Sequence, residues 1–293
     1  MIINNINDLI SFREVKIPEI EVLALRDLEN FINKKFKLVK KDTLKGSFEG
    51  IFERIGHSRN IPLQFSVNEN YVERLCIIDP FLCDECYYIV KRGDRDPPTE
   101  SDCRECGFSR LPDSIGNFRH LNELLIYSGV DHGFIYLPET IGNLKDLQKL
   151  VLWGIPLEIL PESLGNLRSL RSLYIILCKL KKIPDNIFRY MEDLKLLQIS
   201  HSEIKVIPKT IGALYKLEYL IINSSKLEDL PSSIKTLAKL KHLYLNNNKF
   251  NNLPWNSINL TSLEVLDLQN NDNLHIPDFF DFLLKAKQIQ LKK

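Results

Sequence analysis

The stretch LPESLGNLRSLRSLYI, residues 160–175, changes its period halfway along. Pro161 has no N–H to give, so it suits the first position of a short helical turn and not a strand interior. Leu164 and Leu167 lie three apart and share one face of that turn. From Leu170 the period becomes two, with Leu173 and Ile175 pointing to one side of a strand and Tyr174 to the other. A turn and a strand of this size cannot bury their own apolar face, so copies must stack into one continuous core. Copies are present. L-x-x-L-x-L begins at Leu121, Leu147, Leu170, Leu194, Leu217, Leu240 and Leu263, with an apolar variant at Ala286, Ile289 and Leu291. Leu-Pro or Ile-Pro keeps the same rhythm at Pro112, Pro138, Pro161, Pro184, Pro208, Pro231, Pro254 and Pro277.

Two signals in phase over eight periods define a leucine-rich repeat. The fold they predict is an α/β solenoid of about nine strands. Its parallel sheet forms the concave side and its short helical turns the convex side. The polar position that follows each strand is held by Asn248 and Asn271, by Cys178, and by the weaker Ser202 and Ser225, whereas Ile155 and Gly129 offer no side-chain hydrogen bond there. Upstream, Val72-x-x-Leu75-x-Ile77 makes one more strand, but its Leu-Pro arrives only at Leu111, so residues 78–110 form an insertion. Residues 1–70 suit the atypical capping unit that a solenoid end needs. Within them, Pro18 to Phe36 predicts an amphipathic helix carrying Ile20, Val22, Leu23, Leu25, Leu28, Phe31, Ile32 and Phe36. QFSVNENYVERLCI, residues 64–77, predicts a hairpin that leads into the solenoid of residues 71–293.

Charge narrows the function classes. The 39 Lys+Arg and 38 Asp+Glu leave a net charge of +1, without the basic excess of a general nucleic-acid binder or a polybasic membrane protein. The longest apolar runs, such as Leu173 to Cys178, are far too short to span a bilayer. The opening MIINNINDLI has no basic n-region and carries Asp8, so a cytoplasmic protein is expected. NKKFKLVKKDTLK holds Lys34, Lys35, Lys37, Lys40, Lys41 and Lys45. Without interleaved aromatics these lysines fit a solvated cap surface better than an anionic contact. Phosphate loops, dinucleotide fingerprints, H-E-x-x-H and G-x-S-x-G are missing, and no enzyme is expected.

The insertion carries the sharpest motif. Cys83-x₂-Cys86 and Cys103-x₂-Cys106 stand 16 residues apart, the spacing of a four-thiolate zinc site. Two disulfides or idle thiols are the other readings, and a reducing cytoplasm does not favour the first. Four protein ligands leave zinc no open position, so one structural ion is expected. Cys76, on a strand position, and Cys178, in the polar slot, read as free thiols.

LPESLGNLRSLRSLYI, IPKTIGALYKLEYLII and LPSSIKTLAKLKHLYL resemble the 23-residue repeats of cytosolic leucine-rich repeat proteins. Similar in style are the animal Ras-scaffold proteins, the plant intracellular Ras-group proteins and plant disease-resistance receptors. The segment EIEVLALRDLENFINKKFKLV with FSVNENYV is similar to caps of prokaryotic, particularly archaeal, members. The resemblance implies a non-enzymatic scaffold with a protein or peptide partner. It also leaves room for a targeting or regulatory subunit in GTPase or ubiquitin-like signalling. A nucleic-acid contact through the zinc module and cap lysines is the alternative from another class.

The surface for such a partner follows from the repeat. The x positions project from the concave sheet, with Leu125, Val151, Tyr174, Gln198, Ile221, Tyr244 and Asp267 in one column. Tyr127, Trp153, Ile176, Ser200, Asn223, Asn246 and Gln269 form the next. A patch of Tyr127, Trp153, Tyr174 and Ile176, continued by Tyr219, Ile221 and Tyr244, is the candidate site, unless the cap or the insertion folds over it. The last strand, Ala286 to Leu291, predicts an open edge that leads either to weak end-to-end self-association or to a fraying terminus.

Overall fold

The computed structural model describes residues 9–12, 15–32, 37–38, 64–68, 71–79, 110–128, 136–252, 260–275 and 290–292. The strands are β1 (Leu9–Phe12), β2 (Val15–Pro18), β3 (Lys37–Leu38), β4 (Gln64–Asn68), β5 (Tyr71–Asp79), β6 (Glu123–Ser128) and β7 (Lys149–Trp153). They continue as β8 (Ser172–Ile176), β9 (Leu196–Ser200), β10 (Tyr219–Asn223), β11 (His242–Tyr244), β12 (Val265–Asp267) and β13 (Gln290–Lys292). Among the described residues of the cap lies one helix, α1 (Glu19–Ile32). No described helix is long and apolar enough to cross a membrane.

Strands β3 to β13 form one sheet in strict chain order. From β5 to β13 every pairing is parallel, so the chain advances one strand per repeat. This is a leucine-rich repeat solenoid, with β4 and β5 as the expected antiparallel hairpin. Every leucine or isoleucine of the seven L-x-x-L-x-L sets from Leu121 to Leu268 is at most 5% exposed. Each contributes roughly 1.5–3 kcal/mol by leaving water, and only the stacked neighbour makes that possible.

On the convex side the described residues make five 3₁₀ turns, Asp113–Asn117, Glu139–Asn143, Glu162–Asn166, Lys209–Ala213 and Ser232–Thr236. The prolines do not open them from inside. Each sits one residue earlier with an extended ψ near 142–152°, and its carbonyl accepts the N–H three residues on, as Pro161 does from Leu164 at 3.1 Å. Adjacent turns approach closely at glycine. A Cβ on Gly142 would stand 2.4 Å from the Ser163 carbonyl oxygen, which no side chain could tolerate.

After each strand from β7 to β12 the chain leaves the sheet through one left-handed residue. These are Gly154, Leu177, His201, Ser224, Asn247 and Asn270, with φ between 49° and 66°. The next side chain turns back into the stack. Asn248 Nδ2 donates to the carbonyls of Ile222 (2.7 Å) and Leu245 (2.9 Å), and its Oδ1 accepts the Leu227 N–H (3.1 Å). Asn271 repeats the arrangement. Cys178 reaches the Leu152 and Ile176 carbonyls at the longer distances of 3.7 and 3.5 Å, and Ser202 and Ser225 bond to each other at 2.9 Å.

The cap corrects the helix reading. α1 begins after Pro18 and buries Val22, Ala24, Leu25 and Leu28, while Ile20 and Leu23 are 44% and 54% exposed. The buried stripe also takes Glu21, whose Oε2 accepts the Val72 N–H of β5 at 2.8 Å. At the insertion, Ile78 and Asp79 still pair with Tyr127 and Ser128, and Arg110 already bridges to Tyr136. The insertion is therefore shorter than 78–110 at both ends. The last repeat is offset. Leu291, not Ile289, lies opposite Leu266, so this repeat is two residues longer than the periodic pattern gives.

Replacing Asn248 with alanine should leave two carbonyls and one N–H buried without partners and cost about 3 kcal/mol, read from urea unfolding. A loss below about 1 kcal/mol would show that the slot is not holding the turn.

Burial pushes the Glu21 carboxyl up to about 8, against a smaller opposing pull from the Val72 N–H. The folded chain thus keeps a proton there that the unfolded chain releases above its ordinary value of 4.5. That stability is complete below pH 4.5 and declines by roughly 1.4 kcal/mol per unit as pH rises towards 8. Melting curves from pH 5 to 8.5 should show the decline in the wild type, and Glu21→Gln should flatten it. Parallel curves for the two proteins would refute the assignment.

Candidate partner-binding surface

The side chains between the buried leucines project from the concave face in columns set by strand register. Leu125, Val151, Tyr174, Gln198, Ile221, Tyr244 and Asp267 are direct neighbours in sequence of strands. Tyr127, Trp153, Ile176, Ser200 and Asn223 form the second column, as the sequence predicts. A third column, at the strand starts, runs through Glu123, Lys149, Ser172, Leu196, Tyr219, His242 and Val265.

Exposure differs along these columns in a way the sequence does not reveal. Cys76, Leu125 and Val151 are 2%, 0% and 3% exposed, yet none belongs to the contiguous core behind the sheet. They are short side chains flanked on the same face by long ones: Glu123, ion-paired to Arg74 at 3.0 Å, on one side and Tyr127 and Trp153 on the other. Tyr127, Trp153, Tyr174, Ile176, Ile221 and Tyr244 are half-buried, and Tyr219 is 37% exposed. The patch is therefore sunken, not proud of the sheet.

Its middle opens into a cavity of about 470 Å³. Strand β7 supplies Lys149, Val151 and Trp153. Strand β8 supplies Tyr174 and Ile176, with Leu177 just beyond it. Gln198, Ser200 and His201 come from the next repeat, and Asn223 from the one after. Apolar and aromatic groups make the walls, and the Gln198 amide donates to the Ser200 hydroxyl at 3.0 Å. Lys149 holds its ammonium 5.7 Å from the Tyr174 ring centre. Such a volume, with a few converging polar groups, is that of a ligand pocket.

The sequence-predicted residues divide into two groups. Trp153, Tyr174 and Ile176 line the cavity. Tyr219 and Tyr244 sandwich His242, with ring centres 4.6 and 6.2 Å apart and nearly parallel planes. Tyr127 stands beside Trp153, and Ile221 lies between Gln198 and Tyr244 without joining either group. Lys149, Leu177, His201 and His242 went unselected in the sequence. Leu177 and His201 occupy the left-handed turn, where a non-glycine residue carries a penalty of roughly 1–2 kcal/mol. The signal was available: Gly154, Asn247 and Asn270 mark that same position.

The remaining candidates carry little chemistry. Cys76 and Cys178 are free thiols, as expected, and burial pushes both up to about 12, so neither is a nucleophile. Among the described residues no group of three or more His, Cys, Asp or Glu is placed to hold a metal ion. Cys83, Cys86, Cys103 and Cys106 lie outside the described residues, as do the cap lysines other than Lys37 of β3.

A family model described as a leucine-rich repeat region matches residues 185–290. No curated protein matches the chain. Among solved structures, the ectodomain of the Arabidopsis thaliana membrane receptor kinase GASSHO1/SCHENGEN3, in complex with CASPARIAN STRIP INTEGRITY FACTOR 2, is 29% identical with a TM-score of 0.52. That match covers 63% of this chain and 22% of the receptor chain. The leucine-rich repeat domain of the type III effector XopL is 25% identical, covering 62% of this chain and 72% of that one at a TM-score of 0.50. An internalin from Listeria monocytogenes, 22% identical with a TM-score of 0.52, shares the fold over 63% of this chain and 51% of its own. The chain thus spans about half of the internalin and under a quarter of the receptor ectodomain.

Proposed function

We propose that this chain is a non-enzymatic interaction module that holds a protein partner on its concave face, with the cavity between β7 and β10 as its anchor point. The cavity carries this reading. It is a sunken depression walled in part by Trp153, Tyr174 and Ile176, bordered by amides and hydroxyls that can meet a partner's backbone. The receptor ectodomain with the same fold, solved with its own partner bound, supports it. Trp153 supplies the largest anchor. Trp153→Ala should weaken a partner identified by pull-down about 30-fold, measured by titration calorimetry, and leave the melting temperature within a few degrees. Unchanged affinity would remove the cavity from the interface. Salt-dependent retardation of RNA or DNA by the same protein would favour the nucleic-acid alternative instead.

The insertion is proposed to hold one structural zinc in this cytoplasmic setting. The donor set supports it: four cysteines in two C-x₂-C pairs can supply four thiolates and complete a tetrahedral site. β5 ends at Asp79 and pairs directly with β6, so the sheet runs on past the point where the insertion departs. Protein produced with zinc should carry about one ion per chain by elemental analysis, and Cys83→Ser should lose it while the distal repeats keep their melting transition. Well under one zinc per chain would dismiss the site.

A further inference from the structure

Ion pairs join one repeat to the next on this surface, as Lys181 with Glu158 and Lys226 with Glu203. The edge where β8 to β11 begin departs from that pattern. Two rows of side chains run there in strand register, just ahead of the concave columns. One holds Arg171, Lys195, Glu218 and Lys241, followed by Glu264, and the other holds Asp193, Lys216 and Lys239. Each row sets like charges side by side. Arg171 stands beside Lys195, whose backbone N–H donates to the Arg171 carbonyl at 2.9 Å, and Lys216 stands beside Lys239. Like charges on adjacent strands repel, and none of these four side chains is buried.

The neighbouring acids do not cancel the excess. Asp193 binds the Lys216 ammonium at 2.6 Å, and Lys216 first, then Arg171 and Lys195, hold its carboxyl below the usual carboxylate range. Glu218 sits between Lys195 and Lys241 and lies 3.9 Å from the Lys241 ammonium. Glu192 accepts the Tyr215 hydroxyl, and Arg168, one repeat earlier, lies over the Tyr190 ring. With these two included, six cations (Arg168, Arg171, Lys195, Lys216, Lys239, Lys241) face four acids (Glu192, Asp193, Glu218, Glu264), an excess of two. Arg171, Lys195 and Lys239 make no ion pair among the described residues.

The same excess converges on one space. A cavity of about 360 Å³ lies between the rows, lined by Arg171, Asp193, Lys195, Lys216, Glu218 and Lys239, four cations against two acids. With Lys216 held by Asp193, one guanidinium and two ammoniums remain for an occupant. A phosphomonoester carries a charge of about −1.5 to −2 at neutral pH and three strong acceptor oxygens. It matches both the excess and the donors, since guanidinium grips phosphate through two parallel hydrogen bonds and ammonium acts as a point charge. A carboxylate would leave half of the excess unmet.

We propose that this cavity is a binding site for a phosphomonoester group, gripped by Arg171, Lys195 and Lys239. It shares no lining residue with the cavity that holds Trp153, so it stands or falls apart from the concave reading. The ester can belong to a small molecule or to a phosphorylated side chain of a protein, and the two sources are separable.

The full chain, labelled with ¹⁵N, is titrated at near-neutral pH and physiological ionic strength with glycerol 3-phosphate and, separately, with an amidated acetyl-Gly-phosphoserine-Gly peptide. Glycerol and the unphosphorylated peptide are the blanks. The backbone amide signals of Arg171, Lys195, Lys216 and Lys239 should shift saturably with both phosphorylated probes and with neither blank, in the millimolar range or tighter. Tighter binding of the peptide places the ester on a protein, and tighter binding of glycerol 3-phosphate places it on a small molecule. The double variant Arg171→Gln, Lys239→Gln, which keeps the Lys216–Asp193 pair, should bind at least about tenfold more weakly. It should melt no lower than the wild type at low salt, because like-charge repulsion is relieved. Shifts spread evenly over lysines all round the molecule, or a double variant that titrates like the wild type, would reduce the effect to diffuse counter-ion association and overturn the site. A double variant that melts below the wild type would show that these cations serve the fold, which also overturns it.

Discussion

The point at which each strand leaves the sheet governs this molecule. A parallel strand that bends away exposes carbonyls which neither its neighbours nor water can satisfy in the stack interior. The chain answers with two consecutive residues. One turns left-handed and keeps its N–H bonded to the next strand, and the next sends a polar side chain back onto the abandoned carbonyls. This device fixes where each strand ends, and so fixes the register of everything on the concave face. The leucine core supplies most of the stabilisation, but leucines alone would tolerate a slip of one repeat against another. Asn248 and Asn271 do not.

Spacing of 23 residues also brings opposite charges together on the surface. Lys181 meets Glu158, Lys216 meets Asp193 and Lys226 meets Glu203, each across one repeat, at 2.6, 2.6 and 3.4 Å. The pairs are exposed, so each adds little stability. Their effect is to cancel like-charge repulsion that a periodic sequence would otherwise accumulate down every column.

What could be read in the sequence was whatever depends on the repeat alone. L-x-x-L-x-L with Leu-Pro specified the strands, the turns, the columns and the neighbours of Trp153 and Tyr174. Features that depend on a second element were not legible. Ile20 and Leu23 fit a helical stripe as well as Val22 and Leu25 do, and only the position of β5 selects the stripe that contains Glu21. Cys76, Leu125 and Val151 occupy positions that the repeat leaves open, and the long residues beside them close over them. The proline reading missed by one residue because helix statistics place proline inside the first turn, whereas a 3₁₀ turn entered from an extended strand uses it as the preceding cap.

A solenoid separates the requirements of folding from those of binding. Inward positions and the turn slot are constrained by the neighbouring repeats, while the concave columns contact mostly one another, so their residues can change without moving the frame. Leu177 lies where the two sets of requirements meet. Its backbone obeys the stack, and its side chain faces the cavity.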